Sequence, residues 1–201
     1  MDYGNWNALG NENALGDEST FGDWNTFGDW NALGNENALG DRNTLGNWNT
    51  FGDWNTFGDR STFGDWNTFG DRSTLGSENT FGDRNTLGNE NALGDRNTFG
   101  DRNTFGDRLK FGKRTSIAGF KVLALMTMAN VDGSGRRINI YVHTDGIGIE
   151  AGCFKGSLEE FCKKAEQEGK TRYSKVVKAA ANALQQDVWE KGITGGWEEG
   201  R

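Results

Sequence analysis

The 201-residue chain has no proline, one histidine (His143) and two cysteines (Cys153 and Cys162). With no proline, no residue has its φ locked by a ring or lacks a backbone donor for a ladder. A single histidine leaves no His-based metal set, because zinc sites draw on several His or Cys ligands. Two thiols in a chain this long make no disulfide framework and read as free thiols of a cytosolic protein. Long apolar runs are missing as well. No window approaches the roughly 20 residues of a membrane span, and the opening "MDYGNWNALG" lacks the basic start and apolar stretch of a secretory signal. No Walker, Rossmann or zinc spacing appears. These absences predict a cytoplasmic protein without membrane partner, metal or cofactor.

Glycine is abundant, at 31 residues, and it is strictly placed. From Leu9 to Phe111 every sixth residue is Leu or Phe, and Gly follows each of them. Asp or Asn comes next up to residue 107, with Ser77 as the exception, then a variable residue, then Asn or Ser, then Thr or Ala. Unpatterned Gly richness and recurrent Phe-Gly pairs belong to disordered segments, but a fixed period argues for stacked units. A period of six walks apolar residues around a helix, and Gly in every second turn would cost about 1 kcal/mol each time. A short strand and a corner fit instead. In "NTF" the Asn and Phe share one strand face and Thr takes the other. "GD" or "GN" then makes the corner, where Gly tolerates φ > 0 and the Asp/Asn side chain reaches backbone amides. One unit buries too little to stand alone, so stacked units must share a Leu/Phe column, which is the logic of a β-solenoid.

These residues resemble the hexapeptide-repeat family of left-handed parallel β-helices over about residues 3–117. The resemblance implies triangular coils of three hexapeptides, about six in all, with Leu/Phe pointing inward. The chain departs from that family in two ways. Phe57, Phe63 and Phe69 would share one layer and crowd a narrow triangle. Asn also replaces the usual small apolar residue, which permits amide ladders. A four-sided coil, as in pentapeptide-repeat proteins, is the alternative. The family's enzymes use histidine and loops that leave the coils. The repeat has no histidine and no lengthened unit between residues 9 and 111, so no enzyme is expected here.

The variable slot admits only Trp, Glu and Arg from residue 6 to 114, and it should point outward. On an 18-residue coil it sorts into three columns. One holds Trp6, Trp24, Arg42, Arg60 and Glu78. A second runs Glu12, Trp30, Trp48, Trp66, Arg84 and Arg102. The third includes Glu36, Trp54, Arg72, Glu90 and Arg108. Trp6, Trp24, Trp30, Trp48, Trp54 and Trp66, with Arg84 and Arg102, are the candidate partner-binding residues, because exposed aromatic patches mark interfaces. A glycan stacking on the Trp ladder is another reading. Acid is concentrated in the repeat: residues 1–114 carry 18 acids and 10 Lys/Arg, residues 115–201 carry 11 and 12. Regular Asp on a rod permits DNA mimicry against a host enzyme, and disfavours direct nucleic-acid binding. The competing explanation is corner chemistry, since Asp and Asn alternate freely.

The frame stops near residue 115, which divides the chain into a solenoid at 1–115 and an α/β domain at 116–201. Alternation at Ile138, Ile140 and Val142, and at Ile147, Ile149, Ala151 and Cys153, predicts strands with turns at 132–135 and 145–146. It also makes Cys153 a buried structural thiol rather than the partner of His143 in catalysis. The "DGSG" at 132–135 reads as a hairpin turn before a calcium or phosphate loop. Ser157 and Glu160 form a capping box for a helix with Leu158, Phe161, Cys162 and Ala165 on one face. A second helix spans about 172–190, with Tyr173, Val176, Val177, Ala180, Leu184 and Val188 inward. The order is β-β-β-α-α. The stretch "HTDGIGIEAGCFKGSLEEFCKKA" resembles a small domain of bacteriophage-encoded proteins of unassigned function, over roughly residues 138–190. That implies a viral source and a host-cytoplasm location. Repeat units begin at Tyr3, which predicts an uncapped first coil and self-association through the N-terminal half, with a closed dimer favoured.

Overall fold

The computed structural model describes residues 1–106, 108–131, 133 and 135–197. Asp107 of the acid slot, and Asp132 and Ser134 of the "DGSG" stretch, lie outside the described residues. The chain forms two compact units, one from Met1 to Gly119 and the other from Phe120 onward.

In the first unit each Thr-Phe, Thr-Leu or Ala-Leu pair is a two-residue strand, from Ala8–Leu9 to Thr104–Phe105, and Ser116–Ile117 adds one more. Each pairs in parallel with the strands 18 residues away, so that Thr62–Phe63 lies between Thr44–Leu45 and Thr80–Phe81. Consecutive hexapeptides fall in three different sheets, of which the one from Ala14–Leu15 to Thr104–Phe105 has six strands. The unit is a parallel β-solenoid of about six three-sided coils. A four-sided coil is excluded, because a fourth side would lengthen the offset by one more hexapeptide.

The inward column is Leu and Phe. Phe57, Phe63 and Phe69 share a layer without crowding, because their rings meet edge to face: Phe57–Phe63 at 5.3 Å and 82°, Phe63–Phe69 at 5.2 Å and 75°. Along the axis the rings stack instead, as Phe63 on Phe81 at 4.7 Å and 3°. Each such pair contributes about 0.5–1.5 kcal/mol beyond its burial. At the first coil Leu9 and Leu15 are only half-buried, and Tyr3 stacks on Phe21 at 4.4 Å.

The inner Asn residues work differently from a stack of amides. Asn67 Oδ1 accepts from the backbone N–H of Asn49 at 2.7 Å, and its Nδ2 donates to the carbonyls of Gly46 and Gly64 at 3.0 Å each. The side chain thus ties its own coil to the preceding one through backbone. Direct amide-to-amide bonds are seen at Asn7–Asn25 and Asn13–Asn31, both 3.0 Å. Ser61 and Ser73 supply the same acceptor through Oγ, to Asn43 and Asn55 at 3.1 Å.

The corner corrects the sequence reading. The repeat glycines from Gly10 to Gly112 do not take positive φ; the variable slot does, at +53° to +62° from Trp6 to Arg114. Gly is required for proximity. A Cβ on Gly58 would sit 2.6 Å from both the carbonyl carbon and the oxygen of Gly40, one coil away, and against Asp41 Oδ1. Left-handed backbone costs a non-glycine residue about 1–2 kcal/mol, most for a β-branched one. That explains why the slot never holds Val, Ile or Thr. Glu36→Gly is therefore expected to stabilise the protein by about 0.5–1 kcal/mol and Glu36→Val to destabilise it by more than about 1 kcal/mol. Urea midpoints at unchanged slope measure both, and a shift of the same sign for the two variants would refute the account.

In the second unit the strands Phe120–Ala129, Arg137–His143, Gly146–Ala151 and Phe154–Ser157 form an antiparallel meander. The fourth, "FKGS", lacks alternation and adds a strand to the three expected. Helix α1 (Leu158–Gln167) starts at Ser157 with the full capping box and buries Phe161, Cys162 and Ala165. Helix α2 (Thr171–Glu190) buries Tyr173, Val177, Ala181 and Val188, while Val176 is exposed. Both pack on Ile138, Ile140 and Ile149.

Candidate functional site

The slot residue sits on the bend of each coil, so its side chain lines a corner of the solenoid beside the flat face of Thr and Ala. Residues 18 apart stack down that corner. Trp30, Trp48 and Trp66 form one continuous ladder, with centroids 4.9 and 4.7 Å apart and planes within 4°. The guanidinium of Arg84 caps it, 4.9 Å from the Trp66 ring. Glu12 precedes this ladder and Arg102 follows Arg84 in the same register. A groove of about 580 Å³ runs beside it, between the ladder and Thr50, Thr68 and Thr86. Exposure is 57% at Trp30 and 41% at Trp48 and Trp66.

The other candidates fall on the two remaining corners. Trp6 stacks on Trp24 at 5.1 Å, and Arg42 lies 5.1 Å above Trp24. Trp54 has no tryptophan neighbour in its column and meets Arg72 at 5.4 Å. The corners thus separate the tryptophans into the same three columns that an 18-residue coil predicts. Further along, Glu78 takes Arg60 at 2.8 Å and Arg96 at 3.0 Å, and Glu90 takes Arg72 at 2.9 Å and Arg108 at 2.8 Å. The hydrogen bond from Arg60, then that from Arg96, holds the Glu78 carboxyl below its ordinary pKa. These pairs are exposed and screened by salt, so each contributes little to stability.

The corner carboxylates have a structural duty. Asp41 donates its backbone N–H to Asp23 Oδ1 at 2.8 Å, and the same bond recurs at Asp59–Asp41 and Asp71–Asp53. Asn47 and Ser77 fill the same place as acceptors, for Asp65 at 2.7 Å and Asp95 at 3.0 Å. The shared requirement is a side-chain oxygen acceptor within two bonds of Cβ, which is why Asp and Asn interchange and Ser can stand in.

No protein-family model, curated protein or solved structure matches the chain.

In the second unit Cys153 is exposed, contrary to the alternation argument. The strand ends at Ala151, and Gly152, at φ +61°, turns the chain before Cys153. His143 and Cys153 are not brought together. Ala151 pairs with Ile138, and His143 lies at the other end of that strand opposite Gly146, roughly 16 Å away at strand rise. His143 stacks on Phe120 at 4.6 Å, and burial lowers its pKa against the opposing pull of Asp145. A polar cluster escaped the sequence reading. Tyr141 Oη donates to the buried Glu150 Oε2 at 2.8 Å, Asn139 Nδ2 to the same oxygen at 3.3 Å, and Thr127 Oγ1 to Asn139 Oδ1 at 3.0 Å. Its only sequence signal was position: Asn139 and Tyr141 alternate with the apolar Ile138, Ile140 and Val142. Among the described residues no group of three His, Cys, Asp or Glu is placed to hold a metal, and no helix is long and apolar enough to cross a membrane.

Proposed function

We propose that the protein is a non-enzymatic assembly element of the hexapeptide-repeat type, whose solenoid pairs with a second copy along the Trp30–Trp48–Trp66 corner. The observation that carries this reading is the order of that column. It runs acid, three tryptophans, then two arginines, from Glu12 to Arg102. A second copy laid antiparallel presents the same order reversed. With the two-fold axis at Trp48, Trp30 comes level with Trp66 and Glu12 with Arg84. A parallel copy would put like charges at equal levels. An isologous antiparallel contact also closes on itself as a dimer instead of growing into a filament.

The ladder's geometry also bears on the other readings. Sugars stack on open ring faces, but here each inner face is covered by the next indole at 4.7–4.9 Å, leaving ring edges outward. Mimicry of a DNA backbone needs free carboxylates, and one oxygen of each corner Asp bonded above is held by a backbone N–H of the next coil. Self-assembly uses what the fold leaves over. The resemblance of residues 138–190 to a bacteriophage domain favours, as part of the proposal, a host-cytoplasm setting for this assembly.

Light scattering at micromolar concentration tests it. Wild type is expected to be a dimer. Glu12→Arg or Arg84→Glu alone should weaken dimerisation by about tenfold, and the two together should restore it. A monomeric wild type, or a double variant as weak as the singles, would refute the pairing.

A further inference from the structure

Helix α2 carries a long acid-free stretch. Between Glu168 and Asp187 the chain holds Lys170, Arg172, Lys175 and Lys178 and no Asp or Glu. The helix turns Tyr173, Val177, Ala181 and Val188 inward. Along another side Lys175, Lys178, Asn182, Gln185 and Trp189 follow at spacings of three and four. At about 100° per residue these five lie within about 40° of one line, over about 21 Å of helix. Four of them are exposed and Gln185 is half-buried. Trp189 is 69% exposed, a large ring with no place in the core. Lys175 and Lys178 make no ion pair among the described residues. The acids at the end of the helix point elsewhere. Asp187 takes Lys191 at 2.8 Å, and Glu190 accepts from Gln186 Nε2 at 2.7 Å. Both stand about 100° or more round the helix from Trp189. On the α1 flank a hollow brings Lys163, Glu159 and Glu166 beside Lys178 and Gln185, and Glu166 accepts there from Ser174 Oγ at 3.1 Å.

We infer that this stripe binds single-stranded nucleic acid, with Lys175 and Lys178 on phosphates, Asn182 and Gln185 on sugar and base edges, and a base stacked on Trp189. Single strands are held by cations that follow the backbone and by aromatic rings that take unstacked bases. The amides between them both donate and accept, as base edges require. A duplex keeps its bases stacked on one another and leaves the Trp189 ring without a partner. An anionic membrane would attract the lysines too, but it takes up rings that sit in an apolar face. Here Asn182, Gln185 and Gln186 surround the approach and would lose water without replacement. The acid excess of the chain belongs to residues 1–114, and residues 115–201 are close to neutral. The stripe is separate from the Trp30–Trp48–Trp66 corner, so either proposal can fail alone.

Fluorescence anisotropy of a short labelled oligothymidylate with the full-length protein tests it, at salt between about 50 and 200 mM. Saturable binding that weakens with salt is expected, and a duplex of the same length should bind at least about tenfold more weakly. Lys175→Gln/Lys178→Gln should lower the slope of log affinity against log salt by about 1.4, because each phosphate contact on a single strand contributes about 0.7. Trp189→Ala should weaken binding about tenfold and leave that slope unchanged, since stacking releases no counterion. Both variants leave the buried face of α2 intact. Absence of binding at about 50 mM salt, an unchanged slope in the lysine variant, or an unchanged affinity in Trp189→Ala would each overturn the proposal. So would a duplex bound as tightly as the single strand, or capture by phosphatidylserine vesicles in place of the oligonucleotide.

Discussion

Gly58→Ala is expected to unfold the solenoid or cost it at least about 4 kcal/mol, far beyond the effect of an ordinary surface substitution. The added Cβ would lie 2.6 Å from the carbonyl carbon and oxygen of Gly40. Neither atom can move aside, because both belong to the backbone of the neighbouring coil, where Gly40 N–H also bonds the Phe21 carbonyl at 2.9 Å. Relief would require the two coils to separate, and the separation would break the ladder on that side. Gly10→Ala supplies the control, since nothing lies within 4 Å of a Cβ at that position. It should be neutral or slightly stabilising, through the lost freedom of the unfolded chain. Thermal and urea unfolding of the two variants give the comparison. A Gly58→Ala protein as stable as Gly10→Ala would show that Gly is present for conformational freedom after all.

The second large effect concerns the buried amides. Asn67→Leu keeps the side chain's bulk but leaves the Asn49 backbone N–H without its 2.7 Å acceptor and removes two donors to glycine carbonyls. Orphaned buried polar groups cost about 1–3 kcal/mol each, so a loss of at least about 3 kcal/mol is expected. Asn67→Ser should recover part of it, because Ser61 and Ser73 show that an Oγ satisfies the same N–H. Asn49 provides a sharper comparison. Its Oδ1 accepts from Asn31 at 2.7 Å, but its Nδ2 is buried without a partner. Asn49→Ser should therefore cost clearly less than Asn67→Ser. Equal losses would mean that the Nδ2 bonds to the glycine carbonyls contribute nothing to stability.

The solenoid was legible because period is a global property. Six-residue spacing of Leu/Phe selects stacked strands over helix, and every one of some eighteen units repeats the vote. The outward slot was legible for the same reason, since only a solvent position tolerates Trp, Glu and Arg in turn. The left-handed backbone at that slot was not legible. Gly is the usual bearer of positive φ, and only the distance between coils, which no local pattern contains, reveals that Gly is needed for room. In the second unit α1 announced itself through the Ser157–Glu160 box and α2 through the helical spacing of Tyr173, Val177, Leu184 and Val188. Cys153 was misplaced because alternation carries no mark of where a strand ends.

The identity of all the coils has one further consequence. Core, corner and ladder bonds read only the six-letter frame, so the fold itself keeps no count of its units. Deleting a single hexapeptide keeps Leu or Phe inward and Gly at every close approach, yet it turns all later slot residues onto the next corner. Deleting three returns them to their own corner and merely shortens the rod. The sequence thus carries a phase as well as a period. The phase is written most plainly in Trp, Glu and Arg, whose neighbours along a corner distinguish one coil from another.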